Sequence, residues 1–170
     1  MNTKLILKPL LAAGLLAIAA AAQAGITVKF VRSESFADIN RFRGNGDEIL
    51  KQIEAHLQAQ AAKYMTGSQE LVIEVTDINL AGEEEPWGRH MDRLRVMRPM
   101  TIPTMDMSYK LSDGDRVLKE GKAHVSDMSY LDRFNRYSTG DELRFEKRML
   151  DDWIKAEFGK PAGTATASGR

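Results

Sequence analysis

The chain has 170 residues, with 24 basic side chains against 24 acidic ones and no cysteine. Disulfide stapling and thiol chemistry are excluded, and a balanced charge provides no field for steering to nucleic acid. A chain of this size suffices for one ordinary domain burying about 68–70 % of its unfolded surface, so packing alone has to supply the stability.

Met1 to Ala24 has the form of a secretory leader. Lys4 and Lys8 precede an apolar run from Leu10 to Ala22, and Ala22-Gln23-Ala24 is a small-residue cleavage site. The run falls short of the roughly 20 residues that span a bilayer, and no other stretch approaches that length. The expectation is a protein exported to the periplasm or beyond after cleavage near Ala24, with no membrane span. Residues 25–158 then form a single domain, and 159–170, without a large apolar residue, a disordered tail.

Ile26 to Val31 alternates apolar and polar and predicts a first strand. Asn45, with Glu48 three residues on, predicts the start of a helix reaching about Tyr64, its apolar stripe made of Ile49, Ile53, Leu57, Ala61 and Tyr64. His56 lies at the edge of that stripe and reads as a boundary residue, since a metal site needs several convergent ligands. Glu70 to Leu80 is the strongest strand signal. Its alternation changes phase near Asp77, which implies a bulge there or a strand covered on both faces.

Ala81 to Asp92 reads as a long polar loop around Pro86-Trp87-Gly88, and Arg93 to Met97 as a short edge strand stopped by Pro99. Thr104 to Leu111 alternates cleanly, Asp113-Gly114 signals a hairpin, and Val117, Gly121, Ala123 and Val125 continue on the returning strand. Asp127 is placed to cap a short helix carrying Tyr130, Leu131 and Phe134. Thr139 with Glu142 then has the form of a capping box opening the final helix.

In that helix Leu143, Met149, Leu150, Trp153 and Ile154 share one arc, and Arg144, Lys147, Arg148, Asp151 and Lys155 lie opposite as a solvated face. Lys147 with Asp151 and Arg148 with Asp152 are spaced for pairs one turn apart. Glu146 breaks the pattern, because its carboxylate points to the core side and needs a partner or a proton. Arg93, Arg95 and Arg136 are the candidates for a structural ion pair; the alternative is a carboxylate of raised pKa in a cleft. The resulting order, β-α-β-(β)-β-β-α, predicts an α+β two-layer domain. Its sheet has four or five mainly antiparallel strands, with both long helices on one face.

The chain resembles a family of small secreted bacterial proteins, the domain of unknown function 3016. The resemblance rests on Val28 to Val31 with Asp38-Ile39, on Asp77 to Gly82, on Ser126 to Tyr130, on Tyr137 to Asp141, and above all on Arg144-Phe145-Glu146-Lys147-Arg148-Met149-Leu150-Asp151-Asp152-Trp153. It implies export and a single domain, and it brings no activity, ligand or catalytic residue with it.

Three functions compete. The first is a non-catalytic binding or scaffold module contacting an envelope protein or polymer. Its surface combines Trp87, Arg89 and Arg93 with the corner of Tyr130, Arg133 and Arg136, residue types enriched at interface hot spots. Against it, Trp87 folds back on the sheet and the Tyr/Arg corner merely pins a loop. The second is an enzyme with Asp127 and Glu146 as acid and base in one cleft, unsupported by any nucleophile elbow, phosphate loop or paired-histidine motif. The third is a soft-metal protein binding Cu(I) through His90, Met91, Met97, Met100, Met105 and Met107, although Met105 and Met107 share a strand face and suit core filling. No cofactor is implied.

Overall fold

The computed structural model describes residues 25–36, 38, 39, 45–87, 89 and 92–159, with the backbone alone at 87, 92 and 93. The segment read as leader, 1–24, and all but Gly159 of the segment read as tail, 159–170, lie outside the described residues. β1 (Gly25–Phe30) leads through a 3-10 turn to α1 (Gly46–Ala61) and β2 (Gln69–Asn79). A separate hairpin of β3 (Glu83–Trp87) and β4 (Asp92–Val96) follows, then β5 (Thr104–Asp113), β6 (Arg116–Ser126) and α2 (Arg144–Phe158). The main sheet runs β1-β2-β5-β6, with β1 parallel to β2 and the other pairings antiparallel. This is the expected α+β architecture.

The pleat sends alternate side chains to opposite faces, so one face of β2 and β5 is wholly apolar. Leu71, Ile73, Val75, Ile78, Met105, Met107 and Leu111 are buried there. Ile49, Ile53, Leu57 and Ala61 of α1 and Met149, Leu150, Trp153 and Ile154 of α2 cover them in one continuous core. The phase change in β2 is a bulge: the register with β5 shifts between Val75 and Asp77, so both apolar sets face inward. At the far end Tyr109, Trp153 and Phe158 meet edge to face, with ring centres 5.5–5.8 Å apart.

Five local expectations are corrected. α1 stops at Ala61, and Tyr64 lies beyond it in a turn, bonded through its N–H to the Ala61 carbonyl. Asn45 does precede α1, but its carbonyl rather than its side chain makes the cap contact. The polar stretch after Ala81 is largely strand: Glu83–Trp87 pairs with Asp92–Val96, outside the main sheet. Like charges along Glu83-Glu84-Glu85 argue against strand locally, yet Glu84 sits opposite Arg95 and Arg98 reaches Glu85, so the partner strand compensates. Gly82 makes the entry possible. Its φ is +78°, and a Cβ there would lie 2.6 Å from the Val96 carbonyl oxygen.

The fourth correction concerns α2, which begins at Arg144 rather than at Thr139. Asp141 takes the bond expected of Thr139, its carboxylate accepting from the Leu143 N–H at 2.9 Å. Nor does Asp127 start a helix. Residues 128–132 are turns, with Asp127 accepting from the Ser129 N–H at 3.1 Å.

Candidate functional site

The face of α2 turned away from the sheet is only partly solvated: Asp152 and Lys155 are exposed, whereas Arg148 and the Asp151 side chain are covered. The segment 127–143 lies across it as a strap, and the β3–β4 hairpin docks beside it, so Glu146, Arg148 and Asp151 become covered anchors. Two arginine–carboxylate pairs do the holding.

The first pair ties the hairpin. Glu146 is 1 % exposed, and its Oε1 accepts from the Ala81 N–H at 2.8 Å and from Arg95 Nη2 at 2.5 Å. Arg95 Nε donates to the Ala81 carbonyl at 2.6 Å, and Nη1 donates to the Glu142 carbonyl. Of the three partners anticipated for Glu146, Arg95 is the one realised among the described side chains. The planar guanidinium suits the task because it donates in several directions while staying charged.

The second pair ties the strap. Arg148, anticipated as solvated, is 5 % exposed. Its Nη2 donates to Asp127 Oδ2 at 2.5 Å and to the Tyr130 carbonyl at 3.0 Å. Nη1 donates to the carbonyls of Arg133 and Phe134 at 2.7 and 3.2 Å. One side chain thus satisfies a carboxylate and three backbone acceptors of a segment lacking helix or sheet bonds of its own. The anticipated Arg148–Asp152 pair does not form; Asp152 bonds Arg133 at 2.6 Å instead.

Tyr130 is buried between these two anchors. Its hydroxyl donates to the Arg98 carbonyl at 2.8 Å, and its ring meets Phe145 edge on at 4.8 Å, beside Ala81, Met97 and Ile102. It is a pin, not a contact surface. Arg133 and Arg136 remain about half exposed although each bonds an acid, Asp152 and Asp151 respectively. Arg89 is exposed, whereas the side chains of Trp87 and Arg93 lie outside the description.

A third junction joins α1, α2 and the strap. His56 Nε2 lies 3.0 Å from Asp151 Oδ1 and 3.1 Å from the Lys147 carbonyl, both acceptors, so this nitrogen carries the proton. Asp151 also accepts from the Tyr137 hydroxyl at 2.6 Å and from Arg136. Burial pushes the Asp151 carboxyl up, but the bonds from His56 and Tyr137 and the Arg136 charge outweigh it and hold it below the ordinary value. Asp141 is also held low: burial opposes, while Lys147 at 2.7 Å and the Leu143 N–H prevail. Lys147 therefore pairs with Asp141 rather than with Asp151.

Three apolar residues of the strap point outward, unlike the buried Tyr130 and Leu143. Phe134 is 89 % exposed and Met128 72 % exposed, with Leu131 at 40 % between them. Phe134 also borders a shallow recess of about 190 Å³ lined by Arg133, Arg136, Arg148, Asp151 and Asp152. Sequence reasoning missed Phe134 by assigning it to a helix face. It missed Arg148 and Asp151 because nothing local in a helical pattern announces a strap lying over it.

Asp127 and Glu146 are both buried, and each is neutralised by its own arginine, with neither carboxylate presented to a substrate. Of the six sulfur and imidazole candidates, the four that are described scatter: Met105 and Met107 are sealed in the core, Met97 packs on the second cluster and Met100 is fully outward. His90 and Met91 lie outside the described residues. Among the described residues no cluster of three or more His, Asp or Glu side chains is disposed to hold a metal ion.

Fold and site together define a small two-layer α+β protein whose last helix is wrapped by an arginine-anchored strap. The chain belongs to the family described as protein of unknown function (DUF3016), which it matches over residues 24–156. No curated protein and no solved structure matches it.

Proposed function

We propose that this protein is a non-catalytic binding or scaffold module of the bacterial cell envelope, exported to the periplasm, that recognises a protein or polymer through the strap 127–137. One observation carries the reading. The carbonyl of Phe134 is held by the buried Arg148, while its ring stands 89 % exposed. A large apolar ring held in water on an anchored backbone is what an interaction site presents. A loop already rigid also loses less entropy on binding, which favours affinity. The arginines Arg133 and Arg136 flank the ring and supply polar contacts at the rim. No helix among the described residues is long and apolar enough to cross a membrane.

The test is a crosslinking pull-down from the envelope fraction, comparing the parent with Phe134→Ala and with Trp87→Ala, each first shown to be folded. The reading predicts that Phe134→Ala loses a partner that the parent captures reproducibly. Equal capture by Phe134→Ala would remove the strap from the interface, and loss confined to Trp87→Ala would move it to the β3–β4 hairpin. An empty parent lane would end the scaffold reading.

A further inference from the structure

The sheet ends at β6, an 11-residue strand that pairs only with β5 among the described residues. Its first five residues are all exposed. A free edge of this length offers a row of unpaired backbone donors and acceptors to any strand that fits it. Lysines on such an edge ordinarily repel a second strand, and β6 carries Lys119 and Lys122. Their placement does more than repel.

From Lys119 to Val125 the odd-numbered positions face the helices, with Gly121, Ala123 and Val125 opposite Tyr109, Met107 and Met105. Glu120 and Lys122 face away, opposite Lys110 and Ser108. An antiparallel two-fold pairing of β6 with itself keeps inner residues opposite inner ones only when the axis passes through a residue, since a one-residue slip reverses the faces. An axis near Leu118 would fall at the bulge between Val117 and Lys119, so within the regular stretch from Lys119 to Val125 the charges choose among the axes. Centred on Glu120, two glutamates oppose each other; centred on Lys119 or Lys122, two lysines do. Centred on Ala123, Lys122 meets only His124. Centred on Gly121, Glu120 faces Lys122 of the second copy and Lys122 faces its Glu120, two attractive pairs with no like-charge opposition. Directly opposite charges on one sheet face attract, and like charges repel by comparable amounts.

We infer that β6 is a homodimerisation edge, pairing antiparallel with β6 of a second copy about a two-fold axis through Gly121, so that two four-stranded sheets join into one. Lys119, tied to Glu157 of α2, guards the register, since an axis through it would set two lysines opposite each other. The exposed Val117 and Leu118 flank the paired stretch and reach toward Val125 and His124 of the other copy. A closed two-fold contact consumes both edges at once, so association stops at the dimer.

The pairing has a test that does not depend on what the strap binds. Glu120→Lys leaves lysine at both facing positions of the strand, and Lys122→Glu leaves glutamate at both, so each variant opposes like charges twice in its own dimer. Sedimentation velocity across a concentration series should find the purified parent dimerising. Each variant, its fold checked by circular dichroism, should dimerise roughly tenfold or more weakly. Mixed in equal amounts, the two variants set the lysines of one chain against the glutamates of the other at both pairs, and dimerisation should return to the parent level. A parent that stays monomeric throughout, single variants that dimerise like the parent, or a mixture that fails to recover would each overturn the inference.

Discussion

The two arginine–carboxylate pairs of α2 look alike and do different work. At the hairpin the helix supplies the acid and β4 the arginine, and the backbone bonds reach only two residues, Ala81 twice and Glu142 once. At the strap the helix supplies the arginine, and its bonds spread over four residues from Asp127 to Phe134. The hairpin has its own strand ladder, so its pair fixes an angle of docking. The strap has turn bonds of its own but no helix or strand ladder, so its pair fixes where those turns sit. A guanidinium in the second place acts as the missing secondary structure.

That difference orders the expected losses. Arg148→Met leaves a buried carboxylate and three carbonyls without their donor, and it should cost about 3–5 kcal/mol, as breakage of buried pairs generally does. Urea denaturation of the variant against the parent measures it. A loss well under about 1 kcal/mol would make the strap self-supporting. Glu146→Gln keeps an acceptor for the Ala81 N–H but removes the charge facing Arg95, for an expected loss of about 1–3 kcal/mol. If that variant melts with the parent, the carboxylate is not holding the hairpin.

Acid should loosen the strap side of α2. Asp141 and Asp151 are held below the ordinary aspartate value of 3.8, and Glu157, bonded by Lys119 and Tyr109, below 4.5. A lowered folded pKa adds stability that is present above the ordinary value and is lost as pH falls through the lower, folded one. Urea midpoints should therefore be flat above about pH 5 and fall steeply below about pH 4, and Asp151→Asn should shallow the fall. An unchanged slope in that variant would detach Asp151 from the acid transition. At the other extreme, burial and the neighbouring Glu157 push the Tyr109 hydroxyl up to about 12. Its contribution is present below the ordinary value of 10 and is lost only as pH rises through that higher one.

The smallest effect belongs to the exposed end of the strap. Phe134→Ala removes a ring that touches little, so stability should stay within about 0.5 kcal/mol of the parent. A clear destabilisation would mean that the ring packs on its own chain in solution, and the recognition reading would lose its main support.

Local pattern was enough for the architecture. Alternation in β2 and β5, the Asp113-Gly114 turn and the apolar arcs of both helices are periodic signals that each report which face is buried. The bulge near Asp77 was legible for the same reason, as a break in a period of two. Glu146 was legible as an exception, because a carboxylate on an apolar arc demands a partner, although three arginines qualified and only the tertiary structure chose Arg95.

What sequence by itself determined, then, was which side chains face the sheet: burial against a flat apolar layer imprints a repeat that any reader of the chain can find. What only the tertiary structure decided was the fate of the polar side of α2. Arg148, Asp151 and His56 look solvated or marginal in isolation. They became anchors because a strap with no periodicity of its own folds over them, and an aperiodic segment leaves no trace in the helix it covers. Strand formation at Glu83-Glu84-Glu85 was hidden for a related reason, since the cations that make it tolerable arrive from β4 and from Arg98, on the far side of a turn.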